Sequence, residues 1–446
     1  MIILADHLSS LGLIKDYTRN QTFATFLLYD FIEAEYDLLS VPFLKNKKLV
    51  KPLTLCEQEM KGIFRIMKKS LLLLSTIVMV GSVVGMSSCG DTEAEYVEGP
   101  EIALVTDVGN IDDHSFNQAT WEGCKNFSAA NDIGTTYYRP AGDSTDQRVT
   151  SIDNAVTAGA KVIVMPGYLF NSSIKIVQDK YPDVAFLGID CDNSDDDNGY
   201  VPYEFKDNVT SIKYEEDQAG FLAGYAAVQE GYTKLGFCGG IAVPAVVKYG
   251  QGFIKGADEA AKEMELADGT IEMEYWYSGT FAPAQNIVTK VGGWYASGTE
   301  VVFACGGGIY SSVVQGAENE NSTAGNDDKK VIGVDVDQHL DSDLIITSSM
   351  KNLSLSVTSY LTALYANDMK WGTIDGNATA GNIVTKGVST DSVGLPTDPD
   401  SWLMENFTIE EYEALYAKLK SGDISGDIPE DNVYTASAKV VVTVEE

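Results

Sequence analysis

Seven short apolar runs, closed by glycine or aspartate, constrain this chain more than any other feature. They are IALVTDV (102–108), KVIVMPG (161–167), VAFLGID (184–190), LGFCGG (235–240), EVVFACGGG (300–308), KVIGVDVD (330–337) and DLIITSSMK (343–351). Short runs rich in β-branched residues and bounded by turn formers read as buried parallel strands. Between them, 115–130, 146–159, 215–230 and 250–264 carry helical patterns. Alternating strand and helix predicts an α/β protein with parallel sheet. Seven strands with their helices exceed one ordinary sheet, and the polar, acidic stretch 191–207 separates the first three from the rest. The expectation is two doubly wound lobes around a ligand cleft, within one module spanning 101–446. Lobe 1 covers about 101–210 plus a later return segment, and lobe 2 covers about 211–345 plus C-terminal elements. The chain therefore crosses between lobes more than once. A capping box from Thr408 to Glu411 starts a late helix, Gly422 closes it, and KVVVTV forms a last strand.

Charge and cysteine usage exclude several classes of function. The net charge is −34. Residues 1–89 hold ten Lys/Arg and eight Asp/Glu, so the remainder holds 21 basic and 57 acidic residues. A body this acidic repels nucleic acid, which binds through Lys and Arg. The cysteines (Cys56, Cys89, Cys124, Cys191, Cys238, Cys305) form no C-x-x-C pair, and three histidines leave little for imidazole metal chemistry. No metal or cofactor is expected.

The compartment is set by Met67 onward. MKKS is a basic start, LLLLSTIVMVGSVVGM (71–86) is an apolar core, and Ser87, Ser88 and Cys89 follow. That order is a secretory signal over 67–88. Small residues directly before a cysteine resemble a bacterial lipobox, which makes Cys89 the lipidated first residue and 89–100 a tether. The alternative is an uncleaved anchor, since 70–90 carries no charge and is about long enough to span a bilayer. Either way the acidic body faces outward, because Lys and Arg flank the N-terminal side. Residues 1–66 precede a signal that belongs at an N-terminus. They read as a non-native upstream extension, with translation starting at Met67.

The ends of the strands carry the chemistry. Asp107, Gly167, Asp190, Gly240, Gly306 and Asp335 sit at or near predicted carboxyl ends, which is where open α/β sheets bind ligands. After the first run, DVGNIDDHSFNQATWEG (107–123) reads as strand end, Asp-rich turn and helix entrance with Phe116. Carboxylates beside a flat apolar ring suit a ligand with hydroxyls and a ring. Lys351 can donate to a ligand oxygen or pair with Asp335. Gly306 and Gly307 let backbone come close to a ligand. Each carboxylate taken alone also fits a helix cap or a strand-end turn.

Catalytic patterns are missing. CGGGIY lacks the Gly-Lys-Ser/Thr of a P-loop, no G-x-G-x-x-G follows the first strand, and neither G-x-S-x-G nor H-E-x-x-H occurs. The Asp-rich 190–197 fails the EF-hand spacing. Cys124 and Cys305 have no histidine nearby in sequence and read as core. The expectation is a binding protein and not an enzyme.

DVGNIDDHSFNQATWEG, NVTSIKYEEDQAGFLAG (208–224), LGFCGG, ACGGGIYSSV (304–313), VIGVDVDQ (331–338) and SSMKN (348–352) together resemble the basic membrane protein family. These are substrate-binding lipoproteins of ABC transporters, related to the purine nucleoside receptor A type. The resemblance covers about 101–440. It implies a type I periplasmic-binding-protein fold closing on one nucleoside, and ABC permease subunits as partners. Carried onto this sequence, it implies an aromatic clamp at Phe116 and Phe281, with Tyr249 and Phe253 competing for the second place. It implies base-edge contacts at Asp107, Asn117 and Asp190, and ribose contacts at Gly306, Gly307, Asp335 and Lys351. Ile309 and Tyr310 are bulkier than usual for the glycine-rich loop and would alter ribose fit, while 191–207 reads as an inserted rim. A sensor, or a binding protein of the same fold for a sugar or other small polar ligand, is the alternative.

Overall fold

The computed structural model describes residues 100–429 and 432–445. The readings placed on 1–66, 67–88, Cys89 and most of the tether lie outside these residues. No described helix is long and apolar enough to cross a membrane.

Two sheets organise the chain. In chain order the strands of these two sheets are β1 (Ile102–Val105), β2 (Thr135–Tyr138), β3 (Val162–Pro166), β4 (Ala185–Ile189), β5 (Val209–Tyr214), β6 (Lys234–Gly239), β7 (Ile271–Tyr277), β8 (Val301–Cys305), β9 (Lys330–Asp335), β10 (Ile345–Lys351), β11 (Asn382–Lys386), β12 (Val393–Gly394) and β13 (Val440–Val444). The first sheet has order β11-β5-β4-β3-β1-β2 and the second β12-β10-β9-β8-β6-β7-β13. All neighbours run parallel except β10 and β12. All seven apolar runs form strands.

The helices are α1 (Phe116–Asn131), α2 (Thr145–Thr157), α3 (Asn171–Lys180), α4 (Glu216–Glu230), α5 (Pro244–Glu263), α6 (Gln285–Ala296), α7 (Tyr310–Ala324), α8 (Leu353–Ala366) and α9 (Ile409–Ser421). At α9 the expected cap is present. Thr408 Oγ1 accepts from the Glu411 amide, Glu411 Oε2 accepts from the Thr408 amide, and Gly422 takes φ +79°.

The expected lobe boundary near residue 210 falls inside β5. The chain leaves the first sheet only after Tyr214, because Val209 and Ile212 are buried there between β4 and β11. Likewise β10 runs past residue 345 as an interior strand of the second sheet. Among the described residues, three segments pass between lobes: Glu215 into α4, Asn352 into α8, and 387–392. They are laced together, since the Glu215 amide donates to the Lys386 carbonyl and the Asn352 amide to the Ser392 carbonyl, both at 2.9 Å.

Helix α4 is buried on almost every face, as expected of a helix packed inside a domain. It lies against α5 at backbone contact. A Cβ on Gly220 would sit 2.1 Å from the Tyr249 carbonyl oxygen, one on Gly224 2.1 Å from that of Phe253, and one on Gly256 1.9 Å from that of Phe221. The glycines of both helices thus interdigitate, and this pair anchors the second lobe against the crossing point.

Candidate functional site

The carboxyl ends of both sheets face one cavity. It is concave and partly open to solvent, as small-molecule sites are. Asp107, Phe116, Asn117, Asp190, Phe281, Gly306, Gly307, Asp335 and Lys351 all line it. The first four come from the first lobe and the other five from the second. The structure therefore brings those nine predicted residues to one cavity, whereas Gly240 and Phe253 do not line it; Cys89, the expected lipid site, lies outside the described residues.

The first lobe's wall is built by the turn before α1. The α1 N-cap, Ser115, makes no capping bond of its own. Asp113 does that work, accepting from the amides of Ser115 (2.9 Å), Asn117 (3.0 Å) and Gln118 (3.0 Å). A carboxylate here also complements the helix dipole. With α1 so fixed, Phe116 and Asn117 are presented to the cavity. Asp107 Oδ1 accepts from the Gly109 amide (2.7 Å) and from Asn117 Nδ2 (2.9 Å). Burial pushes the Asp107 carboxyl up to about 6, against the pull of those two donors. Asp190 stands at the end of β4 with φ +56°, and Asp335 at the end of β9 with φ +67°. Aspartate is among the few residues that adopt this left-handed region. Both carboxyls are pushed up by burial, opposed by the charge of Lys351.

The second lobe supplies the cation. Lys351 is buried, donates to Asp190 Oδ2, and lies 3.1 Å from Glu216 Oε1. Its ammonium also sits 5.0 Å from the centre of the Phe116 ring and 5.4 Å from those of Tyr214 and Tyr249, within cation–π range. Burial alone would lower its pKa. The charges of Asp190, Glu216 and Asp335 outweigh that and hold it above the usual lysine range. Of the two roles open to Lys351 in the sequence, donation to a ligand oxygen or pairing with Asp335, the pairing is made instead with Asp190 across the cleft. Asp335 instead accepts from Ser115 Oγ at 2.6 Å, also across the cleft.

The glycine loop has a packing reason beside the ligand one. Gly306 takes φ +152° and Gly307 φ +55°. A Cβ on Gly306 would lie 2.9 Å from Gly240 Cα, and one on Gly307 3.0 Å from the Phe281 carbonyl oxygen. Phe281 is held there by its carbonyl, which accepts from the Gly308 amide at 2.9 Å. Ile309 and Tyr310 do not line the cavity. Ile309 points into the core of the second lobe and Tyr310 faces His114, so neither shapes the site directly. The 191–207 segment forms a small hairpin on α3. Its Asp196 Oδ1 accepts from the Tyr168 hydroxyl at 3.2 Å, and Tyr168 lines the cavity. Tyr249 lines the cavity while Phe253 packs on Phe303 in the core.

Sequence reasoning missed Glu216, Tyr214 and Ser115. Glu216 sits in an ordinary-looking helix start, YEEDQ, and only its position beside the Lys351 ammonium distinguishes it. A clasp outside the cavity was also missed. His114 Nδ1 lies 2.7 Å from Asp341 Oδ1, and the buried Gln338 donates from Nε2 to the His114 carbonyl at 2.9 Å. Together with Ser115–Asp335, two adjacent residues of the first lobe grip one loop of the second.

Comparison with known proteins agrees with this geometry. The family model described as ABC transporter substrate-binding protein PnrA-like matches residues 101–425. A Lactococcus lactis protein named ABC transporter nucleoside-binding protein BmpA is 28% identical, over 81% of this chain and 99% of its own length. Basic membrane protein A1 of Borrelia garinii is 26% identical, over 79% of this chain and 95% of its own. Among solved structures, a solute-binding protein of an ABC transporter system from Aeropyrum pernix superposes with a TM-score of 0.60 at 20% identity, covering 74% of this chain and 94% of that one. It shares the type I periplasmic-binding-protein fold. The chain belongs to the Bmp family of PnrA-like ABC transporter substrate-binding proteins.

Proposed function

We propose that this protein captures a nucleoside, most simply a purine nucleoside, between its lobes and delivers it to an ABC permease from a lipid anchor at Cys89. One observation carries the reading: nine residues from separate segments, with one phenylalanine from each lobe, meet in a single cavity. Phe116 and Phe281 take the base between them. Asp107 and Asn117 face its edge. Asp335, Lys351 and the Gly306–Gly307 backbone hold the sugar. Asp190, bound to Lys351, belongs as much to the sugar end as to the base. Binding favours the closed arrangement and so shifts an open–closed equilibrium.

Titration calorimetry of the purified chain against nucleosides, free bases and sugars tests this. Micromolar or tighter binding of a purine nucleoside is expected, and a response to sugars alone would defeat the reading. Asp335→Ala should weaken nucleoside binding ten- to a hundredfold, the effect of one charge-assisted bond. Unchanged affinity in that variant would remove Asp335 from the site. For the anchor, intact-mass measurement of the native protein should find a lipid-modified Cys89 as first residue. Peptides from 1–66 in the mature protein would contradict it.

The clasp makes a separate prediction. His114→Ala removes a bond made only when the lobes are together, worth roughly 0.5–1.5 kcal/mol. Dissociation should quicken about three- to tenfold, by the same factor for every ligand. A factor that changes with the ligand would place His114 in the binding site.

A further inference from the structure

Asn117 carries more information than its position. Its Nδ2 donates to Asp107 Oδ1 at 2.9 Å and to Asp113 Oδ2 at 3.2 Å. Ionised carboxylates only accept, so the amide must turn its amino group toward them. Both of its hydrogens are thereby committed. Its Oδ1 is buried and has no hydrogen-bond partner among the described residues, and the same holds for Asp190 Oδ1. The hydrogen bonds made to Asp107 all end on Oδ1, which leaves Oδ2 free beside Gly167. A buried acceptor left unmatched is costly, so a bound molecule gains by supplying donors here.

We infer that this wall is an acceptor-only surface, selecting a purine edge that presents adjacent N–H donors and rejecting one that presents a ring acceptor. The inference rests on the nucleoside reading and sharpens it. Guanine offers a ring N–H next to an exocyclic amine. Hypoxanthine offers the ring N–H alone. Adenine offers an amine beside a bare ring nitrogen, whose lone pair faces the Asp107 carboxylate. A site built around such donors discriminates strongly against analogues that lack them.

Calorimetry of the purified full chain at neutral pH with guanosine, inosine and adenosine tests the order. Guanosine should bind tightest, inosine about tenfold weaker and adenosine about a hundredfold weaker, one charge-assisted bond being lost at each step. Equal affinities, or adenosine tightest, would overturn the acceptor-only wall and leave the nucleoside reading standing. No binding of any of the three would overturn the nucleoside reading itself. Asp107→Asn sharpens the result. The new amide oxygen can keep the bonds from Gly109 and Asn117, and its amino group then replaces the free acceptor with a donor. The guanosine-to-adenosine ratio should fall at least tenfold. A purely structural role for Asp107 would weaken all three alike, and that pattern would refute its part in the selection.

Discussion

Lys351→Met should cost about 3–5 kcal/mol of folding stability and abolish detectable ligand binding. The size follows from what the ammonium holds in place. Removing one partner of a buried ion pair leaves a charge without compensation, and here Asp190 and Glu216 are both left, with Asp335 near. Methionine keeps much of the volume and the contacts with Phe116, Tyr214 and Tyr249, so the loss is electrostatic and not a cavity. The pH dependence gives the cleaner signature. Burial already holds the Asp190 and Asp335 carboxyls above their unfolded values, and losing the cation that opposes it raises them further. The folded variant then binds more protons than its unfolded chain, and its stability falls as pH rises from about 4 through the raised values. The deficit against wild type should be small near pH 5 and largest near pH 8. Urea denaturation at both pH values measures it. An equal deficit at the two would show that Lys351 acts through packing.

The second large effect lies away from the site. Gly256→Ala should destabilise the protein by about 1–3 kcal/mol or more, although alanine is the better helix former. The new methyl would sit 1.9 Å from the Phe221 carbonyl oxygen, so α4 and α5 must move apart along their whole contact, and overpacking of this kind costs about that much. Gly293→Ala in α6 is the control. Nothing lies within 4 Å of a methyl there, so the same change should stabilise by up to about 1 kcal/mol. Chemical denaturation of both variants should give opposite signs. Equal small shifts would mean that the helix pair is looser than its backbone contacts imply. Because α4 starts at the crossing, the Gly256 variant should also bind ligand less tightly.

Much of this architecture is legible in the chain, for identifiable reasons. Buried parallel strands need continuous β-branched runs, and seven of them stand out. Strand β5 does not, because Thr210 and Ser211 interrupt it with small polar groups that are nevertheless fully buried. Strand β7, IEMEYWY, alternates buried and partly exposed residues and so reads less clearly. The site residues are visible because strand ends leave a conspicuous Asp or Gly. Their partners are not. Asp335 and Lys351 end neighbouring strands, so sequence suggests that they pair. Only the folded chain shows that each reaches across to the other lobe, to Ser115 and Asp190. The clasp is less visible still, since His114 lies in a polar turn of the kind found on any surface.

The three laced crossings bear on how cheaply the molecule can engulf its cargo. Two bodies on a single slack tether would explore many mutual orientations, and capture would have to freeze that freedom. Here Glu215, Asn352 and the 387–392 segment hold one another in register, so swivelling is suppressed and flexing about one line remains. Little orientational entropy is then left for the cargo to overcome, and more of its contact energy survives as affinity.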